Sequence, residues 1–249
     1  MTRPALTCLT PAWPAPARVR AAFTLRGDGV SAAPFDTLNV AAHVGDAPDA
    51  VHENRRRVCE ALALPEEPLW LEQVHGSAVW EADASGPAGP PRADAVIART
   101  PGHVGVIQVA DCLPVLLAAP DASAVAAVHA GWRGLAAGVL EATVRKLGGD
   151  PAALLAWLGP AIGRAHFEVG AEVRAAFLGR DAAAAAAFSV NARGRWQCDL
   201  IALARQRLHA LGVREVFGGD WCTYEDRARF FSYRRDGRCG RMAALIWLE

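Results

Sequence analysis

Four short apolar runs follow one another between Ala95 and Val128: Ala95–Ala98, Val104–Val109, Val115–Ala119 and Ala124–Val128. Each has the length and composition of a strand. Consecutive strands without intervening helices argue against a regular doubly wound parallel sheet, because parallel neighbours need long crossovers. Further strands are expected at Val19–Leu25, Leu69–Val74, Leu154–Leu158, Val213–Phe217, Phe230–Tyr233 and Ala243–Leu248. Helical spacing or capping marks Pro48–Leu64, Leu135–Leu147, Val169–Leu178 and Leu200–Leu211. Gly148-Gly149 and Gly212 stop two of these helices, and Asp199 is placed to cap the last. The expected fold class is α/β of the α+β type: a single layered domain with mixed β-sheet and packed helices.

Composition sets the outer bounds. A chain of 249 residues, 52% hydrophobic with a mean hydropathy of +0.13, can fill one full core. Neither the loop Gly86–Arg92 nor the low-complexity run Ala182–Ala187 has a self-sufficient core on each side. One domain over residues 1–249 is therefore expected, with 1–12 as a loose N-terminal extension. The run Ala182–Ala187 reads as helix or a tolerated insertion. No apolar run is long enough to span a bilayer, and Met1–Pro16 lacks the apolar segment of a signal peptide. A cytoplasmic protein without a membrane partner is expected. With 26 basic and 26 acidic side chains there is no electrostatic case for nucleic acid. Lys146 is the only lysine, so a phosphate must be held by arginine or by backbone N–H groups. The six cysteines are dispersed and form no CxxC pair, which points to reduced thiols.

The chemistry concentrates in three places. Val128-His129-Ala130-Gly131-Trp132-Arg133-Gly134 puts an imidazole at the end of a buried strand, just before a turn into a helix. Gln73-Val74-His75-Gly76 and Ala110-Asp111-Cys112-Leu113-Pro114 add a second imidazole and a thiol. The separations, 37 positions from His75 to Cys112 and 17 from Cys112 to His129, are too long for a zinc finger. If the strand ends meet, two nitrogens and one sulfur suit a soft divalent metal with one position left for water or substrate. The same residues read without metal give a cysteine nucleophile with His129 as its base. Asp111, next to the thiol, is expected to orient something else. His43, His52, His103, His166 and His209 have weaker contexts. The arginine-rich stretch Phe230–Arg241 reads as a hairpin between two strands, either a solvated turn or a phosphate or ribose clamp. Leu158–Gly163 offers backbone N–H groups to an anion.

Ten blocks, in order from Trp13 to the C-terminus, carry a resemblance. They are Trp13-Pro-Ala-Pro16, Thr37-Leu-Asn-Val40, Gly45-Asp46, Asn54-Arg55, Gln73-Val-His-Gly76, Ala110-Asp-Cys-Leu-Pro-Val-Leu-Leu117, Val128-His-Ala-Gly-Trp-Arg-Gly134, Gly159-Pro-Ala-Ile-Gly163, Cys222-Thr-Tyr-Glu225 and Phe230-Phe-Ser-Tyr-Arg-Arg235. Together they resemble the laccase-like polyphenol oxidoreductases, a family also read as purine nucleoside phosphorylases with adenosine deaminase activity. The resemblance implies metal ligation by His75, Cys112 and His129, with zinc as the ion and copper as the alternative. It implies a fold similar to that of certain bacterial toxin cysteine hydrolases. It also implies phosphorolysis of adenosine, inosine and 5′-methylthioadenosine, and deamination of adenosine. A monomer or homodimer is expected. Thr37, Asn39, Arg55, Gln73, Arg133 and Arg241 become the candidates for holding nucleoside or phosphate. The chain departs from the family pattern at Thr24–Ser31, at Thr37 where serine is common, at Ala165–Val169 where a cysteine pair is common, and at Cys239-Gly240-Arg241. None of these departures touches the three ligands. Two rival activities use the same residues: a copper-dependent polyphenol oxidase, and a Cys–His hydrolase acting on peptidoglycan precursors.

Overall fold

The structure is a computed structural model that describes residues 6–82 and 89–249. Its first strands in chain order are β1 (Cys8–Leu9), β2 (Val19–Thr24), β3 (Val79–Glu81), β4 (Ala95–Ala98), β5 (Val104–Val109), β6 (Leu113–Ala118) and β7 (Val125–Ala130). The rest are β8 (Leu155–Leu158), β9 (Glu168–Val169), β10 (Phe188–Val190), β11 (Trp196–Cys198), β12 (Glu215–Gly218) and β13 (Met242–Leu248). The helices are α1 (Pro48–Leu62), α2 (Trp132–Ala137), α3 (Val139–Leu147), α4 (Ala171–Leu178), α5 (Leu200–Ala210) and the short α6 (Tyr233–Asp236).

Two sheets stack face to face; helices cover the outer face of the larger, and α1 together with the irregular segments bearing Leu38, Val40 and Trp70 covers that of the smaller. One has the order β1-β2-β13-β5 and the other β12-β8-β6-β7-β4-β3. The alternation of side chains along each strand assigns the layers. In β13, Met242, Ala244, Ile246 and Leu248 face the larger sheet, where they meet Val96, Leu116, Val125 and Ala127. Ala243, Leu245 and Trp247 face the other way, towards Val58 of α1. The opposite face of the larger sheet, from Ile97, Val115, Leu117 and Val128, packs on Leu140 and Val144 of α3 and Leu203 of α5. Strands covered on both faces read as unbroken apolar runs, which explains the four runs at the centre of the sequence. The small sheet β10-β11-β9 lies apart in the pairing scheme. This is a mixed α/β domain: β6 and β7 are antiparallel, whereas β12 and β8 are parallel.

Several expectations are corrected. Leu69–Val74 forms no strand of a sheet and makes only an isolated bridge, Glu72 to Arg92. The helix expected over Leu135–Leu147 starts earlier, at Trp132, and is broken at Gly138, which has φ +98° and serves as C-cap of α2 and N-cap of α3. The strand expected at Phe230–Tyr233 is irregular chain leading into α6, capped by the Ser232 side chain, so the arginine-rich stretch is not a hairpin between strands. Val169 belongs to β9, and α4 starts at Ala171. Within the segment 1–12, Cys8–Leu9 pairs with β2. Asp199 caps α5 through Ala202 N–H as expected. Ala182–Ala187 forms a 3-10 helix capped by Asp181. Residues 86–88 of the expected loop Gly86–Arg92 lie outside the described residues.

Candidate metal centre

Strand pairing assembles the site at one end of the six-stranded sheet. Leu113 pairs with Ala130, which sets Cys112, just before β6, beside the end of β7 that carries His129. Ala95 pairs with Val128, and the His129 N–H donates to the Asp94 carbonyl at 2.7 Å. Asp94 thus sits beside His129, and its buried carboxylate gathers the remaining part. It accepts from the backbone N–H groups of Val74 (3.2 Å), His75 (2.8 Å) and Gly76 (2.7 Å), a run of amides that forms an anion nest around left-handed His75 (φ 59°). The same carboxylate accepts from His129 Nδ1 at 2.8 Å.

With Nδ1 engaged, His129 presents Nε2 to the other two side chains. Cys112 Sγ lies 3.9 Å from His75 Nε2, the two imidazole rings are 4.8 Å apart at 75°, and the three donor atoms fall within 4.8 Å of one another. The space between them depends on Gly131. A Cβ there would stand 2.9 Å from Cys112 Sγ, 3.1 Å from His75 Cδ2 and 3.6 Å from His129 Nε2. Burial opposes ionisation of Cys112, but His129 and hydrogen bonds from both imidazoles outweigh it and bring the thiol down to about 6. Burial also opposes the charged form of His129, yet Cys112 and Asp94 outweigh it and lift the imidazole to about 9. Two nitrogens, a thiolate, a carboxylate that orients one imidazole and a glycine that keeps the centre open together fit a soft divalent ion.

Sequence reasoning missed Asp94. Its only local signal is an acidic residue immediately before an apolar strand, and its partners lie 18 to 35 positions away. Asp111 does orient other groups. Its side chain accepts from Thr223 Oγ1 at 2.6 Å and the Arg234 N–H at 2.7 Å, and its carbonyl accepts from the Ile162 N–H at 3.0 Å.

The three donors open into a cleft of about 500 Å³. Gln73, Arg133 and Arg241 line it, and so do three residues not singled out for substrate contact: His43, Gln108 and Arg234. Gln73 is tied to the backbone of Gln108 by two hydrogen bonds of 2.9 and 2.7 Å. Gln108 Oε1 is buried with no hydrogen-bond partner among the described residues. His43 has its pKa lowered by burial, then by Arg241 and Arg55, and is neutral at pH 7. Thr37, Asn39 and Arg55 do not line the cleft. Thr37 Oγ1 accepts from the Gly29 N–H, and the buried Asn39 carboxamide holds Ala41, Asp46 and the Arg241 N–H. Arg55 donates to the Val40 carbonyl and lies 4.1 Å over the Trp70 ring.

Fold and site define a class: a layered α/β domain with a His–Cys–His centre at the strand ends, open to a substrate-sized cleft. The family described as multi-copper polyphenol oxidoreductase laccase matches residues 20–249, and the chain belongs to it. A purine nucleoside phosphorylase of Pseudomonas aeruginosa is 57% identical over 242 residues, covering 97% of this chain and 98% of its own. Purine nucleoside phosphorylase YfiH of Escherichia coli is 52% identical over 240 residues, covering 96% and 98%. Among solved structures, a Neisseria meningitidis protein superposes with a TM-score of 0.93 at 46% identity, covering 97% of this chain and 99% of its own. YlmD of Geobacillus stearothermophilus gives 0.89 at 31% identity, covering 100% and 98%. No helix among the described residues is long and apolar enough to cross a membrane.

Proposed function

We propose that this protein is a metal-dependent purine nucleoside phosphorylase, cleaving adenosine, inosine and 5′-methylthioadenosine with phosphate, that also deaminates adenosine. The observation that carries the reading is the shared cleft: the His75–Cys112–His129 donors and the side chains of Arg133, Arg234 and Arg241 line one cavity. High identity to proteins named purine nucleoside phosphorylase supports the choice of substrate.

Phosphorolysis passes through an oxocarbenium-like state, so the site must place phosphate under C1′ and stabilise charge on the departing purine. Arg133, Arg234 and Arg241 are the cationic groups available for the phosphate. Trp132, Ile162 and Phe167 supply apolar wall for a base. Gln108 Oε1 needs a donor, which a ribose hydroxyl or purine amine provides. Neutral His43 offers one N–H and one acceptor to the substrate. An ion held by His75 Nε2, Cys112 Sγ and His129 Nε2 would supply Lewis-acid charge at the floor of the cleft.

The test is incubation with each nucleoside, with and without phosphate, followed by product separation. Phosphate-dependent release of free base supports the reading, and none from any nucleoside sinks it. In His129→Ala, both activities are expected to disappear together; intact deamination with lost phosphorolysis would refute a shared site.

One observation favours a second reading. Asp94, His129 and Cys112 stand in line as orienter, base and nucleophile, and the thiol is acidified. A Cys–His hydrolase of this kind predicts turnover that persists after complete chelation, whereas the phosphorylase reading predicts its loss.

A further inference from the structure

A second cluster of side chains of the metal-ligating types lies outside the described cleft lining. His166, Cys222 and Glu225 bring one nitrogen, one sulfur and one oxygen within 4.8 Å of one another. His166 sits on the turn before β9, and Cys222 and Glu225 on the turn after β12. An isolated bridge joins Ala161 to Cys222, with the Ala161 N–H donating to Trp221 at 3.2 Å and the Thr223 N–H to Ala161 at 2.9 Å. Arg235 fixes the second turn by donating to the carbonyls of Thr223 (2.7 Å) and Tyr224 (2.8 Å).

Each donor is held in place by its own neighbour. The His166 ring stacks on Tyr224 at 4.2 Å and 12°, and its Nε2 lies 2.9 Å from Glu225 Oε1. Cys222 Sγ accepts the Gly163 N–H at 3.2 Å, and a Cβ at Gly163 would come within 3.0 Å of that sulfur. A hydrogen bond accounts for the imidazole and the carboxylate. It does not account for a half-buried sulfur set beside them with an N–H aimed at it, which is the support that a ligating thiolate receives. Bond lengths of about 2.0–2.2 Å to N or O and about 2.3 Å to S put tetrahedral ligand atoms roughly 3.3–3.6 Å apart. To reach that size the His166–Glu225 pair, 2.9 Å apart, would open slightly, while any wider separation, none above 4.8 Å, would close.

We propose that His166, Cys222 and Glu225 form a second site for a soft divalent cation, with solvent completing its shell. An ion there braces the two turns against each other. One turn leads from Ile162 to Phe167, both in the cleft wall, and the other carries Thr223, whose hydroxyl bonds Asp111 beside Cys112. The inference does not rest on the chemistry assigned to the cleft.

Zinc alone is the probe. Metal-free protein is dialysed against zinc and the bound ion counted for the wild type, His166→Ala, Cys222→Ser and Cys112→Ser. Two ions per wild-type chain are expected, with one in each variant. In Cys112→Ser loaded with cobalt, a thiolate-to-cobalt charge-transfer band is expected, and it must vanish when Cys222→Ser is added. One ion in the wild type, unchanged in His166→Ala, overturns the proposal. One ion lost in His166→Ala but kept in Cys112→Ser overturns the metal reading of the cleft instead. The half-exposed His166→Ala keeps the test decisive if Cys222→Ser fails to fold. Zinc is also expected to raise the melting temperature of Cys112→Ser, and no rise counts against the second site.

Discussion

Asp94 accepts from His129 Nδ1 and from three successive backbone amides of the His75 turn, so a single buried carboxylate aims one imidazole and anchors the loop bearing another. Asp94→Asn preserves its volume but removes its charge. It should weaken zinc binding by roughly 10–100-fold, the usual cost of losing such a partner, as read by competition with a chelating dye while the circular dichroism spectrum stays unchanged. A pH dependence follows in the metal-free protein. The folded value of Cys112, about 6, lies below its ordinary 9.0, so its stabilising contribution is complete above pH 9 and is lost as pH falls through about 6. For His129 the shift is upward, from 6.5 to about 9, so its contribution is complete below pH 6.5 and is lost as pH rises through about 9. Thiolate therefore faces imidazolium between the two values. Alkylation of Cys112 in chelated protein should accelerate through pH values near 6, and a rise only near 9 would refute the pairing. His75, Cys112 and His129 stand out in sequence because each sits at a strand end or beside a glycine turn. Asp94 does not, because nothing local distinguishes an acid that starts a strand from one that meets distant amides.

Two glycines separate geometry from volume at the scale of elements. Gly131 joins β7 to α2 with φ −61°, a conformation open to any residue. Gly131→Ala should leave the metal-free fold intact yet reduce zinc affinity about tenfold or more, since ligands must be held to within about 0.5 Å; unchanged affinity would show that the cradle is not the ion's seat. Gly138, at φ +98°, breaks α2 from α3. Gly138→Ala should lower unfolding free energy by about 1–2 kcal/mol, the cost of a side chain in the left-handed region, measured by denaturant titration. That break was illegible because the apolar spacing continues across it. Leu69–Val74 misled for the converse reason: its residues suit a strand, but the Gln73 carboxamide bonds the Gln108 backbone, and the backbone N–H groups of Val74, His75 and Gly76 donate to Asp94. The twice-covered strands were legible because both faces demand apolar side chains.

At the scale of the whole molecule, an ion held in the centre would couple to stability through mass action. An ion that binds only the folded chain stabilises it by about 2.7 kcal/mol at a hundredfold excess over its dissociation constant. Chelation should therefore lower the melting temperature of the wild type, with a smaller drop in His129→Ala, and equal drops would dissociate the ion from the cleft. The stacking of two sheets was not legible, since apolar runs say that a strand is covered but not by what. Asp111 shows what the stacking achieves. Its carbonyl and carboxylate gather Ile162, Thr223 and Arg234, three segments distant in sequence, onto the residue preceding Cys112. Transplanting the three donors onto another scaffold would consequently fail to reproduce this pocket unless those far-flung strands of chain travelled with them.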